Sequence, residues 1–297
     1  MRVFVTGATG FIGAALVPEL INAGHRVLGL ARAEGGAKSL ASSGAQVHRG
    51  ELGDLESLRS GAAAADAVIH LAFIHDFSKF QENCEIDKRA IETLGKVLAG
   101  SDRPLIVTGG IPAWAPGRLM TEDAEPPARS AMPRVSEEAA LALVLQGVKA
   151  AVMRLPQVHD TVKQGLVTYL IAIAREKGVS AYVGEGLNRW PAGHVSDVAR
   201  LYRLALEQHE TGARYHAVGE EGVPLRDIAA AIGRGLKVPV RSIAPEEAAA
   251  HFGPFFGFFA GLDLPTSSAL TQQRLGWSPS GVGMIADLDR VKYQAGG

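Results

Sequence analysis

Three shortages bound what this chain can be: it has one cysteine, almost no net charge and no apolar run of membrane length. The single cysteine, Cys84, closes no internal disulfide, and nine scattered histidines give no repeated zinc-type spacing. A disulfide scaffold and a zinc module are thereby excluded, no metal is expected, and a reducing, cytoplasmic setting is expected. Thirty basic residues against thirty-one acidic ones leave a formal charge of −1. Such a balance produces no whole-chain field to hold a nucleic acid or an anionic membrane surface, so neither is expected as a partner. Apolar stretches such as residues 166–174 fall far short of the ~18–20 residues of a spanning helix.

What is present is a large core in a chain of 297 residues, 47% of them apolar, enough for one big α/β domain or two small ones. Met1 runs at once into Arg2-Val3-Phe4-Val5 with no cationic leader or cleavage site, so no signal peptide is expected. Further apolar runs of strand length recur at residues 26–30, 46–49, 67–71, 105–108 and 150–155, and segments of helical spacing separate most of them. Strands alternating with helices predict a doubly wound parallel sheet, because parallel neighbours need a crossover and the crossover helix covers the sheet. Beyond about Arg154 the pattern changes, with helices predicted at 166–177, 196–209 and 225–237. Glycine and proline gather at 184–191, 253–265 and 278–283, which read as loops of a smaller lobe. Residues 1–155 are thus expected to form a Rossmann-like nucleotide-binding domain. Residues 156–297 are expected to form mainly a substrate lobe, with some segments returning to the sheet.

The first strand leads into Thr6-Gly7-Ala8-Thr9-Gly10-Phe11-Ile12-Gly13 and then into a helical pattern. A dinucleotide needs a tight turn, backbone that can approach a pyrophosphate without an intervening Cβ, and a close helix-to-strand contact. Glycines at one, four and seven serve all three, and the helix start turns its unpaired N–H groups toward the anion. The second strand ends at Ala31-Arg32, where NAD-preferring domains place an acid on the ribose hydroxyl. A guanidinium in that place suits a 2′-phosphate, and no carboxylate is there to repel it, so NADP is favoured over NAD; Lys38 is a weaker second candidate.

These residues resemble the short-chain dehydrogenase/reductase superfamily, in its extended and atypical branches related to epimerases and dehydratases. Gly50-Glu51-Leu52-Gly53-Asp54 is similar to its adenine-reading turn, and Val68-Ile69-His70-Leu71-Ala72 to its fourth-strand signature. Arg154-Leu155-Pro156-Gln157-Val158-His159, His194-Val195-Ser196-Asp197-Val198-Ala199 and Leu275-Gly276-Trp277-Ser278-Pro279 resemble three later family segments. The resemblance implies cofactor contacts from Thr6, Gly7, Gly10, Phe11, Ile12, Gly13, Glu51, Leu52, Leu71, Ala72, Phe73 and Pro156, beside Arg32. It also implies a homodimer formed through helices at residues 81–98 and 136–145.

The family's catalytic pair is missing. Tyr169, Tyr182, Tyr202, Tyr215 and Tyr293 are followed four places on by Ile173, Gly186, Leu206, Gly219 and Gly297, never by lysine. Aligned on the family, Arg134 stands at the tyrosine and Glu138 at the lysine. Hydride transfer to a ketone still needs a proton source, for which Thr108 through a water, His159 and His75 are candidates, with His159 preferred. His70 and His194 read as hydrogen-bonded structural groups. An iminium substrate would need a carboxylate instead, from Glu137 or Glu138. Ser136 reads as a helix cap that can also face the pocket. Reduction of an activated enone is equally open. Phe73, Trp114, His159 and Trp190 are expected to position a small apolar substrate, with the phenylalanines of 252–259 as further lining. The alternative is a non-catalytic NADP-binding sensor.

Overall fold

A computed structural model describes residues 1–113, 117–125 and 133–293. Its centre is an all-parallel sheet built from β1 (Arg2–Thr6), β2 (Arg26–Ala31), β3 (Gln46–Arg49), β4 (Ala67–His70), β5 (Leu105–Gly110) and β6 (Ala150–Leu155). After the short strands β7 (Gln157–His159), β8 (Ser180–Val183) and β9 (Arg189–His194), β10 (Arg214–His216) pairs with β6, so the chain returns to the sheet. The order is β10-β6-β5-β4-β1-β2-β3. It reverses between β1 and β4, the place where open α/β sheets leave a crevice at their carboxyl ends. The doubly wound Rossmann-like plan is therefore present.

Alternation along the strands sorts the core. Val3 and Val5 of β1 pack to one face with α1 (Phe11–Asn22) and α7 (Val195–Glu207), while Phe4 between them packs to the other. That second face is covered by α3 (Leu55–Ala63), α4 (Phe80–Leu98) and α5 (Ser136–Val144), and α2 (Glu34–Ser42) flanks β2 and β3. Val68 against Ala67 and Ile69 in β4, and Val152 against Ala151 and Met153 in β6, repeat the pattern. The start of α3 is fixed by Asp54, whose carboxylate accepts the backbone N–H groups of Glu56 and Ser57.

The smaller lobe has its own core. It joins α6 (Val167–Lys177), α8 (Leu225–Leu236) and the sheet of β7, β9 and β11 (Glu220–Pro224), with β8 paired to β12 (Val240–Ile243). The short helices α9 (Ala248–Phe252), α10 (Pro254–Ala260) and α12 (Met284–Leu288) close it, while α11 (Ala269–Leu275) packs back against α7 and β10 of the main sheet. Two segments expected as loops are loops only in part: residues 184–188 and 261–265 are irregular, whereas residues 189–191 belong to β9, where Trp190 is buried, and residues 254–260 form α10, which buries Gly257 and Ala260 and packs Phe256 and Phe259 against this core. Among the described residues no helix is long and apolar enough to cross a membrane.

Candidate active site

A cleft of about 920 Å³ lies over the carboxyl ends of the parallel strands and extends beneath α6 and α10. At its nucleotide end the turn after β1 is made of backbone. Gly7 has φ +67°, and a Cβ there would stand 2.7 Å from the Ala72 nitrogen. A Cβ on Gly13 would stand 2.2 Å from the Gly7 carbonyl oxygen, so the third glycine is what lets α1 approach β1. Gly10 precedes α1 with no side-chain cap, and the first turn of α1 carries no acid. The N–H groups that a helix start leaves unpaired therefore open on the cleft, a fit for a pyrophosphate.

Gly7, Gly10, Phe11, Ile12, Gly13, Arg32, Glu51, Leu52, Leu71, Ala72, Phe73 and Pro156 all line this cleft. Arg32 is exposed, with no hydrogen bond or ion pair among the described residues, while neighbouring Arg49 is tied to Glu34. Lys38 does not reach the cleft. Thr6 is a correction. Its hydroxyl is buried, accepts the Ala72 N–H at 3.2 Å and meets His70 Nδ1 at 2.8 Å, so it braces two strand ends and does not face a cofactor.

From Thr6 a buried chain crosses the sheet. His70 Nε2 lies 3.1 Å from Asp87 Oδ1 of α4, Ser136 Oγ donates to Asp87 Oδ2 at 2.5 Å, and Arg134 Nε donates to Ser136 Oγ at 3.0 Å. One assignment satisfies every group: Thr6 donates to His70 Nδ1 and His70 donates to Asp87, which accepts from both sides. Burial alone would raise the Asp87 carboxyl, but the hydrogen bonds of His70 and Ser136 and the charge of Arg134 outweigh it and hold it below its ordinary value. Arg134 Nη2 donates to the Thr108 carbonyl at 3.1 Å, and its guanidinium carbon sits 4.1 Å from the centroid of the Phe73 ring. Its Nη1 has no hydrogen-bond partner among the described residues. A fixed cation thus stands on the cleft wall beside Phe73.

Of the three expected proton donors, only His75 lines the cleft. His159 is fully buried and lies off the cleft wall; its Nδ1 meets Asp287 at 2.8 Å, and burial, only partly offset by Asp287, lowers its basicity. The Thr108 hydroxyl is turned away, between the His70 carbonyl and the Tyr202 hydroxyl, both at 2.7 Å. Glu137 borders the cleft, but its carboxylate accepts from Arg154 at 2.6 and 2.7 Å and from Arg214 at 2.8 Å, which leaves it no free charge for an iminium. Ser136 lines the cleft without capping α5, since its hydroxyl is committed to Asp87. His75 stands at the cleft mouth, its basicity lowered by burial and by Arg134 and Lys163. Glu138 lines the cleft and is exposed. His70 is hydrogen-bonded as described, and His194 caps α7 by accepting the Ser196 N–H.

Beyond Phe73 the cleft widens into an aromatic chamber. Helix α10 brings Phe255, Phe258 and Phe259 to it, opposite Phe77 and Phe80, and Phe255 stacks on Phe77 with centroids 4.3 Å apart. Tyr169 stacks on Phe256 at 4.9 Å. Trp190 lines the same wall and donates its indole N–H to the Phe259 carbonyl at 3.2 Å. Trp114 lies outside the described residues. Sequence reasoning missed Asp87 and Lys163. Nothing near Asp87 in sequence marks it, whereas Arg134 was marked by its alignment with the family's tyrosine.

Fold and cleft are those of a Rossmann-like α/β protein with a crevice at the switch point of its sheet. The chain belongs to the NAD dependent epimerase/dehydratase family, of the extended short-chain dehydrogenase/reductase type; residues 3–91 match the family directly. It is 48% identical over 99% of its length, and all of the relative's, to an uncharacterized protein of Schizosaccharomyces pombe. It is 26% identical, over 76% of this chain and 73% of the relative, to a sterol-4-alpha-carboxylate 3-dehydrogenase, decarboxylating, of Dictyostelium discoideum. Among solved structures, a dTDP-glucose 4,6-dehydratase from Streptomyces venezuelae with NAD and TYD bound superposes with a TM-score of 0.77 at 19% identity, covering 98% of this chain and 96% of that one.

Proposed function

We propose that this chain is an NADP(H)-dependent reductase that delivers hydride to a small, largely apolar ketone or activated enone, with Arg134 serving where the family has a tyrosine. The preference for NADP rests on Arg32, a guanidinium without a partner at the end of β2. When bound, NADPH would supply a hydride to the substrate carbon and leave as NADP⁺, while a proton from water completes the reduced product. Arg134 faces the negative charge that develops on the substrate oxygen; held by Ser136 and the Thr108 carbonyl, it needs little reorganisation to do so. A guanidinium does not give up its proton near neutral pH. The proton therefore comes from water at the mouth, beside His75. A cationic iminium is disfavoured next to Arg134, all the more because Arg154 and Arg214 neutralise Glu137. The phenylalanines that line the chamber suit an apolar substrate body, and the sterol named in the Dictyostelium relative supports the same reading.

The single observation that carries this reading is the fixed guanidinium beside Phe73 in a cleft floored by the glycine turn. The missing tyrosine–lysine pair favours a second reading, a sensor that binds NADP without turnover. NADPH oxidation with aromatic ketones, enones and cyclic imines separates them. Turnover of ketones or enones but not imines is expected, and Arg134→Met should lower kcat by about 100-fold, the scale of losing one oxyanion donor. NADPH binding with no turnover across the panel would favour the sensor.

A further inference from the structure

We infer that the substrate carries a carboxylate close to the reacting carbonyl, and that Lys163 together with Arg134 holds it at the mouth of the aromatic chamber. This rests on the reductase reading above and adds the class of substrate to it.

Lys163 lines the cleft, is exposed, and has no side-chain hydrogen bond or ion pair among the described residues. Its position is set by a tight turn. The Asp160 carboxylate accepts the N–H groups of Val162 at 2.6 Å and Lys163 at 2.8 Å, and the Asp160 N–H donates to the Lys163 carbonyl at 2.9 Å. Asp160 is thus committed to backbone, and Lys163 is left without a counter-ion. Lys163, Arg134 and His75 line the same cleft, and the two cations lower the basicity of His75 further after burial has lowered it.

The acids on the same walls do not cancel this charge. Glu137 is clamped by Arg154 and Arg214, Glu51 stands at the nucleotide end beside Leu52, and Glu138 forms no ion pair with Arg134 or Lys163. Asp87, behind Ser136, balances one positive charge of the Arg134 group. Lys163 remains at the cleft wall without an ion-pair partner among the described residues. A sugar placed against Phe77, Phe255 and Phe259 would leave its hydroxyls without partners there. An apolar acid meets both features, its body against the rings and its anion between the two cations.

Calorimetry on the protein saturated with NADP⁺, using cinnamate and its neutral counterpart cinnamamide, tests the inference. Cinnamate should bind about tenfold tighter, the scale of one charge-assisted contact. Lys163→Met should abolish that preference, Lys163→Arg should retain it, and the affinity of Lys163→Met for NADP⁺ alone should match that of the unmodified protein. Equal binding of acid and amide, an unaltered preference in Lys163→Met, or no binding of either probe overturns the inference. NADPH-dependent reduction of neutral ketones would still stand in those cases. Failure to load NADP⁺ at all would instead remove the reductase reading beneath it.

Discussion

The two ends of the cleft are made of different material. At the nucleotide end the ligand-facing surface is largely backbone: Gly7, Gly10 and Gly13 and the opening of α1, all within one stretch of chain. At the chamber end it is side chain. Arg134, Lys163, Phe77 and Phe255 arrive from four separate segments, and Arg134 is set by Asp87, 49 residues before the serine that links them. Backbone geometry constrains which residues can occupy the first end. The second is constrained only by partners that folding brings together.

Substitutions can break this contrast at either end. The largest effect belongs to Gly13→Ala, whose Cβ would sit 2.2 Å from a backbone oxygen that cannot yield without moving the turn. It should weaken NADPH binding by more than about 100-fold in calorimetry, roughly 3 kcal/mol, the upper range for overpacking. Asp87→Asn comes next. It removes the carboxylate that accepts from His70 and Ser136, and should cost about 3 kcal/mol in urea unfolding, a typical loss for breaking a buried charged network. It should also misplace Arg134, so kcat should fall while NADPH affinity changes little.

Acid should act third. Burial, together with the charge of Arg154, pushes His216 down to about 4 from an ordinary 6.5 despite the Ser267 carbonyl. Because the folded value is the lower one, this contribution to stability is complete above 6.5 and is lost as pH falls toward about 4. Unfolding free energy should drop by about 2 kcal/mol near pH 5. His216→Gln should flatten part of that slope, and an unchanged pH profile would contradict it. The smallest expected effect is that of Arg32→Ala, exposed at the nucleotide end. It should weaken NADPH by about tenfold and NADH by far less, one charge-assisted contact to phosphate. An equal loss for both would remove the 2′-phosphate assignment.

The same contrast decides what could be read in advance. The strand starting at Ala150 and the glycine turn are local patterns, and both are found where periodicity and spacing put them. Helix α10 was legible only as a loop, because Gly253 and Pro254 are local signals while the packing of Gly257, Ala260, Phe256 and Phe259 against the smaller core is not. His159 looked free because its partner Asp287 is 128 residues away. Glu137 looked free for the same reason, with Arg214 lying 77 residues on. Thr108 is a proton-source candidate by sequence, through a water, but strand alternation and the Tyr202 hydroxyl turn its side chain inward. What sequence could not supply was the identity of long-range partners, and these decide which polar groups stay free for chemistry.

The most direct test is a side-by-side calorimetric titration of the unmodified protein with NADPH and NADH. Saturable binding of both, with NADPH about tenfold tighter, is the predicted result; no heat with either nucleotide, or tighter binding of NADH, would contradict the account.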